Sequence, residues 1–484
     1  MKAKTDHEHL ENVAIDRFDK LATFKAMDAN DVDRGRSRAA CEADGVVVVG
    51  GGLAGLATAA ALTRVAGVQR VTVLERSSAA AFGDEEAGAA AQLGPNGLSA
   101  LRFFGGEQTL AAVRSAGTEL AGMAIHPGGG AAAMLIPDCA QADTGLPQLL
   151  VRWGVLRSAL ADLLPEGAIV TGVGSYIAGY QLAGGGAVPV STSGVPQGEI
   201  SPLLVAADGL RSIFRPIVLS GVQNVQELGG AEAAVIGSVK DGGRTNIKAV
   251  VRQSLPHGFA ANHTHAYFTP GGGLAVFAGS AGDGWTYWAV SIADEVGDMA
   301  APLLAATSSS LRQAAQAGGL SCCDMALRQT LTNICLSEGK DLQFVADLIG
   351  ATDPSRILLQ RSEEAVAVGP ALSSGDGRVV LVGDAAHGMS PSYGQAANFG
   401  TPPYPQHAIY PSCPPPPPHT FTPTITLSLP PFQQWRMRPC WPVVCVTRIA
   451  CQRRSKCMGR SAWRAAARWP HAAPSGQRRR CEGR

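Results

Sequence analysis

The sequence predicts an α/β protein in which a nucleotide-type βαβ domain is interleaved with a β-sheet domain and followed by an irregular C-terminal tail. Three observations carry this prediction. A four-valine run (Val46–Val49) enters a glycine loop, two later apolar strands each end at an aspartate, and composition changes abruptly near Gly400. The 484 residues allow about two or three domains and a sizeable core. An apolar fraction of 46% with 16% charge excludes a wholly disordered chain.

Taken in order, residues 1–44 hold ten acids and eight bases. Transit peptides avoid acids and secretory signals need an apolar stretch, so this segment reads as a polar arm. An intracellular, cytoplasmic location is expected. Val46–Val49 has the composition of a strand buried on both faces. Gly50-Gly51-Gly52-Leu53-Ala54-Gly55 follows, then an Ala/Leu-rich helical stretch, Leu56–Val65. A second strand, Val71–Leu74, ends in Glu75. The glycines divide the work. Gly50 permits the tight turn, Gly52 admits a pyrophosphate to the backbone, and Gly55 lets helix and strand pack closely. Glu75 can accept hydrogen bonds from a ribose, and its charge repels a 2′-phosphate, favouring FAD or NAD over NADP.

Further along, Leu203–Ala207 runs into Asp208-Gly209-Leu210-Arg211-Ser212. Arg378–Val382 runs into Gly383-Asp384-Ala385-Ala386-His387, followed by Pro391 and Gly394-Gln395-Ala396-Ala397-Asn398. With Gln92–Gly97 and Arg152–Leu156, these ordered blocks span roughly Gly45–Phe399. They resemble the fingerprints of para-hydroxybenzoate-hydroxylase-like, single-component FAD-dependent monooxygenases, a family that includes salicylate and urate hydroxylases and zeaxanthin epoxidase.

The resemblance implies a Rossmann-like FAD-binding domain with an interleaved substrate domain, and FAD as the bound cofactor. It implies NAD(P)H as co-substrate and O₂ as oxidant, acting on a small, largely apolar or aromatic substrate by hydroxylation or epoxidation. The cofactor-binding residues expected are Gly50, Gly52, Leu53, Ala54, Gly55, Glu75, Arg76, Arg152, Asp208, Gly383, Asp384, Pro391, Gly394 and Asn398. Asp384 suits a ribityl hydroxyl, with a helix cap as the alternative role. Asp208 could instead cap a turn at Gly209. The Gly394–Asn398 segment can present backbone N–H groups to the flavin as a helix begins. Trp285 and Trp288 read as packing residues of the sheet, and His387 as part of the fingerprint. No catalytic base is nominated, because the family draws it from a variable sheet, here about 215–368. No second GxGxxG serves NAD(P)H, in keeping with transient nicotinamide binding.

The division expected is an arm (1–44), a first FAD-binding segment (45–214), a substrate sheet domain (215–374), a second FAD-binding segment (375–400) and a tail (401–484). No metal site is expected, since no cysteine pair has CxxC spacing. No transmembrane helix is predicted either. A dehydrogenase is opposed by the Asp208 and Asp384 blocks, whereas another FAD oxidoreductase remains a compatible reading.

The tail is a different polymer. Residues 401–484 hold 13 Lys+Arg and one acid, 16 of 31 prolines and six of 11 cysteines. Its basic character raises nucleic-acid or membrane binding, which its sparse aromatics and missing helical pattern oppose. A sharper reading comes from codons. The Gly400 codon can supply a GT splice donor, Ile425–Phe432 can be encoded almost wholly in pyrimidines, and Gln433 can be CAG, an acceptor end. Joining the first base of Gly400 to the codons from Gln434 onward shifts the frame. With AGG for Arg436 and CGG for Arg438 the new frame can read Glu-Asp-Ala-Ala-Val-Leu-Ala, and the resemblance implies a helix beginning near Glu-Asp-Ala at this point. A retained intron with a frameshifted exon is therefore expected, giving a disordered tail and an inactive flavin-binding product as the alternative outcome.

Overall fold

The computed structural model describes residues 45–399 apart from 128–132, 174–176, 225–226, 228–238, 270–272, 295–320, 323–324, 338–339, 366–371 and 391–395. The expected polar arm and tail, with Pro391 and Gly394, lie outside the described residues.

The valine run forms the middle of a five-stranded, all-parallel sheet. Its order is Val379–Leu381, Leu204–Ala206, Val46–Val49, Val71–Glu75, Ile169–Thr171. Helices cover the sheet on both sides, so both faces of this central strand are buried and no polar residue interrupts it. Val46 and Val48 pack with Leu56, Ala57 and Ala60 of the helix Leu53–Arg64. Val47 and Val49 pack on the opposite face with Phe214 and Ile217 of the helix Phe214–Ser220. Each such valine contributes about 1.5–3 kcal/mol. The first helix begins at Leu53, three residues before its Ala/Leu-rich stretch, because the Gly52 carbonyl accepts the Leu56 N–H at 3.0 Å.

An eight-stranded sheet forms the second layer, in the order Ser321–Cys322, Leu358–Ala365, Val239–Val251, Thr286–Ala293, Leu274–Ser280, His263–Phe268, Gly122–His126, Met134–Pro137. Its only parallel pairing joins His263–Phe268 to Gly122–His126 among the described residues, so two strands come from the chain before residue 215. One face is dry. Ile247, Ala249, Val251, Trp288 and Val290 pack against Leu331, Val345, Leu348 and Ile349 from the helices Met325–Ser337 and Gln343–Ala351. Trp288 is fully buried there and its indole N–H donates to Thr352 Oγ1 at 3.0 Å.

Alternate residues of the same strands turn to the other face, as a two-residue period requires. That face looks toward the first layer: a Cβ on Gly279 would meet Leu150 Cδ2 at 2.8 Å, and the Ser362 and Ser390 hydroxyls lie 3.1 Å apart. Leu150 belongs to a small antiparallel sheet of Ala90–Leu93, Gln148–Arg152 and Thr118–Leu120. Among the described residues, no helix is long and apolar enough to cross a membrane.

Candidate cofactor and substrate site

The glycine loop is shaped by contacts that exclude side chains. Gly50 has φ +112°, and a Cβ there would lie 2.3 Å from the Ala207 carbonyl oxygen. At Gly55 a Cβ would lie 1.9 Å from the Gly50 carbonyl oxygen. Gly52 differs: its Cβ would meet nothing within 4 Å, and no side chain caps the helix that starts beside it. The helix thus begins beside open space at Gly52 with first-turn N–H groups that no side chain caps, the makings of an anion site.

Glu75 is buried and braces this loop. Its Oε2 accepts the Gly51 N–H at 2.7 Å and its Oε1 accepts the Ser77 N–H at 2.8 Å. Each oxygen keeps a further lone-pair direction for a hydroxyl donor. Arg76 is exposed.

The two aspartate blocks come together through a residue that the motifs did not reveal. Arg215 is completely buried; its Nη2 donates to the Asp384 carbonyl at 2.7 Å and its Nε to the Ala385 carbonyl at 2.9 Å. Arg215 therefore holds the turn Asp384–His387 against the helix that follows Asp208. Gly383 enters that turn with φ +59° and ψ −139°, a conformation suited to glycine. Asp384 is the first residue of the turn and places no side-chain cap on it. Burial pushes its carboxyl above the usual carboxylate range, opposed by the positive charges of His387, Arg215 and Lys248. His387 itself is exposed.

Asp208 Oδ2 accepts the Ile213 N–H at 2.8 Å, so the residue does close its turn. Its Oδ1 is buried without a hydrogen-bond partner among the described residues, and burial raises this carboxyl as well. Arg152 has a matching orphan. Its guanidinium carbon lies 5.0 Å from the centre of the Trp285 ring and its Nη2 is 3.8 Å from Asp283, yet its buried Nε has no partner among the described residues. Asn398 is occupied differently: its Oδ1 accepts the Gly94 N–H at 2.7 Å and its Nδ2 donates to the Gln92 carbonyl at 3.0 Å. The last fingerprint residue is thus clasped to the Gln92–Gly97 block.

Facing these groups, Lys248 projects from the strand Val239–Val251 and lies near enough to Asp384 for their charges to interact. Burial lowers its proton affinity. Neither Lys248 nor Arg215 carries a motif, so only the tertiary fold reveals them. Buried polar atoms left unsatisfied are costly, and Arg152 Nε, Asp208 Oδ1 and the open space at Gly52 fit a ligand bearing an anion, hydroxyls and acceptors. FAD has all three.

Comparison with known proteins follows the same line. The family model of the NAD(P)-binding Rossmann-like domain matches residues 48–102. The chain is 27% identical over 352 residues to an aurachin C monooxygenase/isomerase of Stigmatella aurantiaca, covering 72% of this chain and 76% of that protein. Among solved structures it resembles Klebsiella pneumoniae HpxO complexed with FAD and uric acid (TM-score 0.53, 20% identity, 74% of this chain and 76% of the other). It also resembles CtdE in complex with FAD and a substrate (TM-score 0.54, 15% identity, 74% and 77% covered). These structural likenesses concern the fold.

Proposed function

We propose that this chain is a para-hydroxybenzoate-hydroxylase-like FAD-dependent monooxygenase that uses NAD(P)H and O₂ to hydroxylate or epoxidise a small, largely apolar or aromatic substrate. The reading is supported by its 27% identity to an aurachin C monooxygenase/isomerase. The observation that carries this reading is the pairing of a Glu75-braced glycine loop with an Arg215-pinned Asp384 turn. When bound, FAD supplies electron transfer from nicotinamide and activation of oxygen.

The chain's own residues bind and orient. Gly50, Gly52, Leu53, Ala54 and Gly55 offer backbone to the pyrophosphate, and Glu75 accepts from the adenosine ribose with Arg76 beside it. Asp384, after Gly383, takes a ribityl hydroxyl. Arg152 and Asp208 offer their free donor and acceptor atoms toward the cofactor. Asn398, clasped to Gly94 and Gln92, completes the proposed set together with Pro391 and Gly394. Residues 45–214, apart from the strands Gly122–His126 and Met134–Pro137 that join the eight-stranded sheet, would form the FAD-binding domain with 375–400 and the helix Phe214–Ser220. The rest of 215–374 would form the substrate domain. HpxO is complexed with uric acid, a small ring compound, in keeping with a small substrate.

The test is direct. The protein with its C-terminus read in the spliced frame should purify with FAD and oxidise NADH or NADPH in air, with oxygen-18 from O₂ appearing in product. The 484-residue chain should instead hold little flavin. Asp384→Ala leaves hydroxyl donors unpaired and should weaken FAD binding roughly tenfold to a hundredfold. Product labelled from water, or flavin retained equally by both proteins, would overturn the respective assignment. The composition break at Gly400 supports a retained intron and frameshifted exon over 401–484, which sequencing the transcript across that codon would settle.

A further inference from the structure

We propose that Trp285, at the tip of the hairpin joining Leu274–Ser280 to Thr286–Ala293, is a positioning residue for Arg152: its ring sets the plane of the guanidinium and so aims the Arg152 donors at the cofactor. The inference rests on the FAD-binding reading above and adds a residue which that reading does not contain.

Trp288 lies in the dry core, whereas Trp285 joins none of the hydrophobic clusters and is half-buried. Its place is set by the turn before it. Gly282, Asp283 and Gly284 have φ of +85°, +51° and +76°, three left-handed residues in succession. The Trp285 N–H donates to the Gly282 carbonyl at 2.9 Å, and the Trp285 carbonyl accepts the Ala281 N–H at 2.8 Å. Asp283 is the only non-glycine residue with such a φ among the described residues, a conformation that aspartate tolerates better than most. The turn is also wedged against its neighbours. A Cβ on Gly282 would lie 2.1 Å from the carbonyl oxygen of Ala116, at the end of the helix Pro95–Ala116. The Gly282 N–H donates to Thr118 Oγ1 at 3.1 Å, and the Thr118 and Ser280 hydroxyls lie 2.9 Å apart. Thr118–Leu120 is in turn the ladder neighbour of Gln148–Arg152. Backbone and hydroxyl contacts therefore hold the tip beside Arg152 whatever side chain stands at position 285.

The Arg152 guanidinium lies over the Trp285 ring, 5.0 Å from its centre, within reach of a cation–π contact. A guanidinium held against the face of a ring keeps its N–H groups in its own plane, free for hydrogen bonds. A close carboxylate would consume them, as Asp241 and Asp294 do at Arg361. Asp283 does not: its Oδ2 is 3.8 Å from Arg152 Nη2, and its side chain is 60% exposed. The Arg152 side chain is only 11% exposed, and its enclosed Nε has no partner among the described residues. A buried donor left unmade is costly, so this arginine is held by a contact that orients it and spares that donor for an acceptor from outside. Trp285 gives orientation without neutralisation.

The test titrates FAD into apoprotein made from the protein whose C-terminus is read in the spliced frame, and records the melting temperature of each variant. Trp285→Leu keeps bulk and removes the ring face. It should weaken FAD binding roughly threefold to thirtyfold when Arg152 is present. In Arg152→Met it should cost nothing further, the non-additivity expected of a residue that acts through another. Trp285→Phe should restore most of the loss, and Asp283→Asn should change affinity by less than about twofold. Arg152→Lys should bind FAD as poorly as Arg152→Met, because an ammonium has no plane to set and no counterpart of Nε. An equal loss from Trp285→Leu in both Arg152 backgrounds, tracking a fall in melting temperature, would assign Trp285 to packing and overturn the proposal. So would a Trp285→Leu protein with undiminished affinity, or an Asp283→Asn protein as weak as Trp285→Leu. If Trp285→Leu does not fold, Arg152→Lys decides, since full affinity there would show that charge suffices without orientation. A wild type that binds no FAD breaks the monooxygenase reading and this inference with it, whereas a protein that binds FAD and is indifferent to Trp285 breaks this inference alone.

Discussion

The glycine loop and the open face of the eight-stranded sheet converge on one proposed site, yet they are built by opposite rules. The loop works by excluding side chains. Gly50 and Gly55 sit where a single added carbon would collide with backbone, and the side chain that accepts the Gly51 N–H, Glu75, serves the loop itself. The sheet face works by side chains on alternate residues, with Asn246, Lys248 and Tyr287 set against a core of Ile247, Trp288 and Val290 on the reverse side. The difference teaches where change is tolerated. Replacing an open-face residue leaves the core intact, so a substrate preference can drift; altering the loop touches the fold and cofactor together.

Four substitutions test that contrast. Gly55→Val should be the most severe, because a Cβ 1.9 Å from the Gly50 carbonyl oxygen cannot be relieved by moving a flexible side chain. A loss beyond about 5 kcal/mol is expected, seen as failure to recover folded protein; a stable variant would refute the packing argument. Trp288→Ala should cost about 3–5 kcal/mol by emptying the dry face and leaving Thr352 without its indole donor. Flavin content per folded molecule should nonetheless hold, as measured after denaturant midpoints are compared. If flavin is lost in proportion to stability, the two faces are not separable.

Gly52→Ala is the sharpest probe. With nothing within 4 Å of the new carbon, stability should stay within about 0.5 kcal/mol, while FAD affinity falls at least about tenfold, or ~1.4 kcal/mol. A parallel loss of melting temperature would mean the space is structural. The smallest effect is expected from Asp294→Asn, which removes one partner of Arg361 at a half-exposed surface site. A cost of at most about 1 kcal/mol follows after screening. The hydrogen bond from Arg361 holds the Asp294 carboxyl below its ordinary value. Its contribution is therefore present above the unfolded carboxylate range and fades as pH falls through the lower folded value. Denaturation curves of the two proteins should separate at neutral pH and merge in strong acid.

What was legible in the sequence was what is local. The unit from Val46 to Glu75 places strand, turn, helix and acid within a short stretch, so composition and spacing sufficed. The same holds for Leu204–Ala206 and Val379–Leu381, each announced by an apolar run before an aspartate block. The remainder depended on contacts that no window contains. Lys248 lies in VKDGGRTNIKAVV, where charged and apolar residues alternate without a clear face until the ladders to Thr286–Ala293 and Leu358–Ala365 fix it. Arg215 reads as an ordinary arginine until its donors are seen on the Asp384 turn. Gly122–His126 could not be assigned to the second sheet, because its partner strand His263–Phe268 is far along the chain, and Met134–Pro137 joins the sheet only through Gly122–His126.

The strand order has a consequence in time. Leu204–Ala206 finds one neighbour, Val46–Val49, already synthesised, but its other edge pairs with Val379–Leu381. Those partners are about 175 residues apart, so at 5–20 residues per second a ribosome would take roughly 10–35 s to supply the missing strand. Throughout that interval the nascent sheet presents an unprotected edge of Leu204, Val205 and Ala206, the kind of surface that recruits foreign strands. Newly made chains should therefore depend on holdase chaperones between these two points of synthesis, and a chain arrested before Val379 should be far more prone to aggregate than one released after it.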